Sequence, residues 1–411
     1  MINRSAVRVL PTKATLLTAA VLLTTLGAAP PAPSLRLDGS GECTFPAKPI
    51  KGTPWSLQRV LLDELWQGTN KGRGVRVAVI DTGVDDKNPQ LRAVVDKADG
   101  RDFLTKGKGG DPTDDQVGHG TKVAGIIAAR PRSGTGFVGL APNATIIPIR
   151  QNDADQSGDS DTMAAAINYA VTQRADVINI SQDTTKPLSA TSALAQAVRK
   201  AIGAGVVVVA SAGNDGLDGK VKNTYPAAFD GVLAVASSDR NNERATFSQA
   251  GTFVGVAAPG VDIVSTVPGG GQCTDNGTSF SAPFVAGVAA LLKEKYPHWT
   301  PAQIITRIEQ TAERSVNGHD DYVGWGVVDP VRAIQESDTE DPPSSPTPDP
   351  GLSKAPAPDV ARFSLAETAE ERNQRYATYA LGITVVLVAV IAGAAVVTRD
   401  LRRRHRKEPS A

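Results

Sequence analysis

Cysteine and histidine are scarce. Two cysteines and four histidines among 411 residues do not support a Cys/His zinc site. Net charge is missing too. The 43 Lys and Arg balance 43 Asp and Glu, so no basic field points to nucleic acid as a partner. Neither a repeat nor an aromatic groove supports a cell-wall or adhesion module, and no organic cofactor is implied. Glycine (39) and proline (28) are plentiful instead, and much of the proline sits in two stretches.

The ends of the chain do not read as fold. Arg4, Arg8 and Lys13 precede an apolar run from Ala14 to Leu26 and the small residues Gly27-Ala28-Ala29. Residues 1–29 therefore read as a signal peptide. The alternative, an uncleaved N-terminal anchor, suffers from the shortness of the run. Near the other end, Ala377 to Thr398 carries no charge and is long enough to cross about 30 Å of hydrocarbon as a helix. With Tyr376 it makes a span over 376–398, Tyr376 and Tyr379 marking one interface. The Arg-rich residues 399–411 that follow give a positive-inside signal, with the tail cytoplasmic and everything before the span exported. The other use of such a cluster, a nucleic-acid patch, suits so short a tail poorly. Residues 337–375 hold a Pro-, Ser- and acid-rich linker and a juxtamembrane segment. In an exported chain, two lone cysteines favour one disulfide over two free thiols.

Between these ends lie about 300 residues, ample for one large core. Val75 to Ile80 is a short β-branched run ending at Asp81-Thr82-Gly83, which predicts a buried strand and a turn. A helix is expected from near Gly120, then strand, helix, strand, helix and two strands through Val232 to Ala236. A buried helix is expected from Phe280 to Leu292. The alternation predicts an α/β fold: a mostly parallel sheet with helices on both faces. Functional residues of such sheets gather at the carboxyl ends of strands, where Asp81 and Ser211-Ala212-Gly213-Asn214 stand.

Three segments carry the chemistry: Val77-Ala78-Val79-Ile80-Asp81-Thr82-Gly83-Val84-Asp85, Gly118-His119-Gly120-Thr121-Lys122-Val123-Ala124-Gly125 and Gly277-Thr278-Ser279-Phe280-Ser281-Ala282-Pro283. In type and order they resemble the Asp, His and Ser boxes of the subtilisin-like serine proteases. Gly139-Leu140-Ala141-Pro142 and Gly324 to Asp329 extend the resemblance, which covers about residues 72–336. It implies Asp81, His119 and Ser279 as a catalytic triad, Asn214 with the Ser279 amide as an oxyanion hole, and a polypeptide substrate. A serine hydroxyl becomes nucleophilic when a base takes its proton, and a buried carboxylate fixes the tautomer of that base. The GTS box favours Ser279 over Ser281. Asp85 and Asp86 read as turn and surface residues, and His298, His319 and His405 as structural or exposed.

Residues 181–183 and 211–213 correspond to the substrate-binding segments: Ser181, Gln182, Asp183, Ser211, Ala212 and Gly213. Relatives often carry Ser-Leu-Gly where this chain has Ser181-Gln182-Asp183. The carboxylate narrows the first specificity pocket, favours a basic substrate residue, or points to solvent. Many subtilases bind calcium, but no dedicated acidic loop is seen, and Asp111, Asp114 and Asp115 read as a solvated loop before His119. No metal site is assigned.

The full layout, an exported arm over residues 30–71, a peptidase domain, a Pro-rich linker, one span and a basic tail, resembles the mycosins of type VII secretion systems. That resemblance implies a role beside the secretion membrane complex. The leading expectation is an active endopeptidase. The alternative is a chiefly structural subunit that stabilises the complex, with proteolysis secondary. A Cys43–Cys273 disulfide would pin the arm near Ser279.

Overall fold

The structure, a computed structural model, describes residues 43–104, 110–152, 159–220, 222–335, 345–348 and 367–405. The expected signal peptide and most of the linker lie outside these residues. In chain order the elements are α1 (Trp55–Gln58), α2 (Leu62–Leu65), β1 (Arg76–Asp81), β2 (Arg101–Asp102), α3 (His119–Ala128), β3 (Thr145–Arg150), α4 (Ser160–Thr172), β4 (Val177–Ile180), α5 (Ala193–Gly203), β5 (Val207–Ser211), β6 (Val232–Ser238), β7 (Val254–Pro259), β8 (Ile263–Thr266), β9 (Gln272–Asp275), α6 (Thr278–Lys295), α7 (Pro301–Thr311), α8 (Pro330–Gln335) and α9 (Ala369–His405).

Strands β1 to β7 form one parallel sheet in the order β2-β3-β1-β4-β5-β6-β7. Its strands are nearly all buried because helices cover both faces, as unbroken apolar runs require. The side chains alternate between two cores. Val77 and Val79 of β1 face a core shared with α3 and α6, whereas Ala78 and Ile80 face one shared with α4 and α5. Strand order reverses around β1, which places a crevice beyond its carboxyl end.

Helix α6 runs through the first core, and every residue from Phe280 to Leu292 is buried. A helix apolar on all sides belongs in a core or a membrane, and the first core encloses this one. Helix α7, not anticipated from the sequence and burying Ile304 and Ile308 on one face, starts with a capping box between Thr300 and Gln303 and with Pro301 in its first turn. Both features satisfy or remove orphan backbone donors. The antiparallel hairpin β8–β9, also not anticipated, pairs Ser265 with Cys273 and delivers the chain to α6.

The arm is part of this fold rather than a loose leader. Leu57, Val60 and Leu65 are buried in the first core. Ala47 N donates to Gly270 O at 2.9 Å and Gly136 N to Ile50 O at 3.1 Å. The indoles of Trp55 and Trp66 donate to Val261 O and Leu140 O. Cys43 and Cys273 form a disulfide across 230 residues of sequence, with Cα atoms 6.0 Å apart.

A second unit spans residues 349–411. Its described part is α9, a 37-residue helix that exceeds the expected span at both ends. At about 1.5 Å per residue it is far longer than the roughly 30 Å hydrocarbon layer. It is long and apolar enough to cross a membrane.

Loop closure over so long a separation makes the disulfide a stability element. Chain entropy sets its contribution on the order of 5 kcal/mol, and measured values are commonly 2–4. Replacing both cysteines by serine is expected to lower the melting temperature by several degrees in a calorimetric scan, and an unchanged transition would remove this assignment.

Candidate active site

Three chain segments converge at the carboxyl edge of the sheet. Asp81 closes β1, and its side chain has no solvent exposure. A charge so placed needs partners. Asp81 Oδ1 lies 2.7 Å from His119 Nδ1 and accepts from Thr82 N at 2.8 Å. His119 opens α3, where Gly118 takes φ 78°, a left-handed conformation that favours glycine. Its neighbour Gly120 has no room for a side chain, since a Cβ there would stand 2.0 Å from Gly83 O. The His119 ring is 12% exposed and packs against Phe280, with ring centroids 5.3 Å apart. Burial works against the imidazolium. The charge and hydrogen bond of Asp81, with Asp115 behind, outweigh it and hold the His119 pKa above the usual 6.5.

Ser279 sits in the first turn of α6, half-buried beside Phe280. Its Oγ donates to Ser181 O at 3.0 Å, and among the described residues it makes no hydrogen bond to His119. Ser181 Oγ in turn donates to Ser279 O at 3.0 Å. Pro283 explains the second bond. It stands four residues beyond Ser279 and lacks the N–H that would otherwise bond that carbonyl. Asn179 Nδ2 donates to Ser181 Oγ and locks its orientation. The N–H of Ser279, second in α6, has no intrahelical acceptor.

Asn214 follows β5. Its Oδ1 accepts from Thr278 N and Thr278 Oγ1, both at 3.0 Å. That ties Asn214 to the residue before Ser279 and leaves its Nδ2 for another partner. Ser211, Ala212 and Gly213 lead into it, buried, with Gly213 N bonded to Thr278 Oγ1 at 3.2 Å. Across from them, a Cβ on Gly213 would stand 2.9 Å from Asp183 Oδ2. The Asp183 carboxyl therefore leans toward the Asn214 loop, although the residue keeps an exposed side. Burial of this group, and then the nearby Asp215, push its pKa up to about 6. Gln182 is half-buried between Ser181 and Asp183. Ser281 is fully buried on α6.

Two acidic residues differ from expectation. Asp115 is not part of a solvated loop. It is 6% exposed and accepts from Thr82 Oγ1, Gly118 N, Thr121 N and Thr121 Oγ1 at 2.6 to 2.8 Å. Only the local pattern of polar residues is visible in sequence, and nothing there reveals that the nearby Gly118 and Thr121 fold back on this carboxylate and that the distant Thr82 joins them. Asp85 is likewise buried rather than at the surface, accepting from Gly269 N and Lys87 N. Asp111 and Asp114 do keep solvent contact. His298 is exposed, and His319 is bonded to Val254 O; the side chain of His405 lies outside the described residues. Among the described residues no cluster of three His, Cys, Asp or Glu could hold a metal ion.

Residues 72–326 match the subtilase family, Peptidase S8. The chain belongs to the subtilase family of serine endopeptidases. It is 38% identical over 286 residues to subtilisin E of Bacillus subtilis, covering 69% of this chain and 72% of that protein. Among solved structures it is similar to MycP1 from Mycobacterium smegmatis, with TM-score 0.64 and 32% identity, covering 79% of this chain and 91% of that one. It is also similar to a serine protease MycP1 described as an essential component of the type VII (ESX-1) secretion system, with TM-score 0.62 and 32% identity over 71% and 91% of the two chains.

The tight seat of α3 makes Gly120 a test of this geometry. Gly120→Ala must push the start of α3 from Gly83, and displacement by about 1 Å at a reacting group can cost on the order of 100-fold in rate. The variant is expected to fold but to cleave a peptide substrate at least that much more slowly. Full activity would show that α3 tolerates the shift.

Proposed function

We propose that this chain is a membrane-anchored serine endopeptidase in which Ser279 is the nucleophile, His119 the general base and Asp81 the anion that orients it. The 2.7 Å contact between the buried Asp81 carboxylate and His119 Nδ1 carries the reading. It commits Nδ1 to Asp81 and leaves Nε2 to accept a proton.

Rotation about χ1 takes Ser279 Oγ from the Ser181 carbonyl to the imidazole. Such bonds are often unmade in a free enzyme and tighten with substrate. Oγ attacks the scissile carbonyl carbon while its proton passes to His119 Nε2. The carbonyl oxygen becomes an oxyanion, which Asn214 Nδ2 and the Ser279 N–H stabilise. Collapse breaks the C–N bond, and the departing amine takes the proton from His119. Water then attacks the acyl-enzyme by the same route and frees the acid and Ser279. The positive end of α6 favours the developing negative charge.

The apolar α9, the Arg-rich residues after it and the positive-inside rule support one span with the catalytic unit on the extracytoplasmic side. A disulfide suits that oxidising side. Similarity to MycP1 supports work beside a type VII secretion membrane complex. The description of one MycP1 as an essential component of its system favours a second reading, a subunit whose presence stabilises the complex. Cells carrying Ser279→Ala separate the two from cells lacking the chain. Peptide cleavage is expected to fall on the order of 10⁶-fold, the loss subtilisin shows without its nucleophile. Secretion that survives Ser279→Ala but not deletion assigns a separate structural task. Cleavage that persists in purified Ser279→Ala overturns the triad. Asn214→Ala is expected to lower kcat about 100- to 1,000-fold, as at the corresponding subtilisin position.

The approach of the Asp183 carboxyl to the Gly213 segment supports a part for it in substrate choice. Below pH 6 its carboxyl is mostly neutral, and above it the anion forms. Preference for Arg over Leu in the first specificity pocket is therefore expected to grow as pH rises through about 6, read from paired peptides across that range. Equal cleavage of the two at pH 8 would exclude Asp183 from the pocket.

A further inference from the structure

One turn beyond His119, Lys122 is buried at 7% exposure. Its Nζ lies 2.8 Å from Asp275 Oδ2 on β9, and Asp275 Oδ1 accepts from Asn276 N at 2.9 Å. Asp275 stands four residues before Ser279, at the end of the strand that delivers the chain to α6. The pair thus joins the helix that begins with His119 to the strand that leads into the turn before Ser279. The backbone here is already seated. Ser265 Oγ donates to Lys122 O at 2.6 Å and Thr266 Oγ1 to Thr121 O at 2.8 Å. An apolar side chain of similar length would fill the space of Lys122, and Asp275 keeps 42% of its side chain in solvent, where an ion pair adds little stability. The charges therefore call for another account.

We propose that the Lys122–Asp275 ion pair is a positioning device for the triad, holding the base and the nucleophile in register and setting the electrostatic field at His119. This rests on the reading of His119 as general base. Four charged groups act on that ring: Asp81 from β1, Asp115 from the loop before α3, Lys122 from α3 itself and, through Lys122, Asp275 from β9. Helix α6 presents only the neutral Ser279 and Phe280. Asp81 and Asp115 favour the imidazolium, and Lys122 is the cation that opposes it; Asp275 acts only by pairing with Lys122. A base must be neutral to accept the serine proton, so Lys122 keeps more of His119 competent at neutral pH. Asp275 restrains that effect.

The signs make the pair testable. In the full-length protein, kcat/KM for a peptide is measured against pH for Lys122→Met, Asp275→Asn, their double variant and Lys122→Arg. Competent sites are counted with a fluorophosphonate, and Ser279→Ala serves as the control. Loss of the Lys122 charge raises the His119 pKa, so the acid limb of Lys122→Met moves to higher pH by about 0.3–0.5 units. Its kcat per titrated site falls roughly 3- to 30-fold with little change in KM. Asp275→Asn frees the ammonium and moves the limb the other way. The double variant strands no charge, so it serves even where Asp275→Asn fails to fold, and its limb returns near the parent. Lys122→Arg keeps the parental profile. Limbs that stay fixed while activity falls only with the number of titrated sites, or that move in the same direction, overturn the proposal. Cleavage by Ser279→Ala instead overturns the triad assignment beneath it.

Discussion

A carboxylate without solvent is costly to bury, and the Asp81 side chain has none. Its cost is offset only if donors stand ready in fixed positions. One is the imidazole of His119, and another is the Thr82 amide. Much of the surrounding structure serves to bring those donors there. Thr82 Oγ1 reaches on to Asp115, and Asp115 gathers the amides and hydroxyl that bracket His119. Two buried carboxylates with Thr82 between them thus tie the end of β1 to the start of α3. Neither segment can shift without exposing an unpaired charge to a low-dielectric interior.

Ser279 is held by different means. Pro283 removes one rung from α6, and the freed carbonyl binds Ser181 Oγ. A residue that ordinarily breaks helices here creates an acceptor that fastens the backbone of Ser279 to the end of β4. Asn214 fastens the residue before it. Asn214 and Ser279, in the roles proposed for them, are consequently parts of one hydrogen-bonded unit, which is the kind of preorganisation that electrostatic catalysis needs.

How much of this was legible beforehand depended on distance along the chain. The strand ending in Asp81 announces itself by an unbroken β-branched run, and α6 by apolar residues on every side. The residues of the three boxes stand in short, recognisable segments. Asp115 was not legible, because a carboxylate among polar neighbours reads as solvated until the donors of Thr82 and Thr121 are folded around it. Lys122 was hidden the same way: its partner lies 153 residues on. Helix α7 was legible in principle, through its capping box and the buried Ile304 and Ile308 four residues apart, and went unread; the β8–β9 hairpin escaped because cross-strand pairs define it.

The disulfide has a topological consequence. It makes a covalent ring of residues 43 to 273, inside which Asp81 and His119 lie, while Ser279 follows six residues past its clasp. A single cut of the backbone anywhere in that ring opens the loop but separates nothing, so all three residues remain on one molecule. For a chain whose own chemistry is to sever peptide bonds, that is a safeguard against its neighbours and copies of itself.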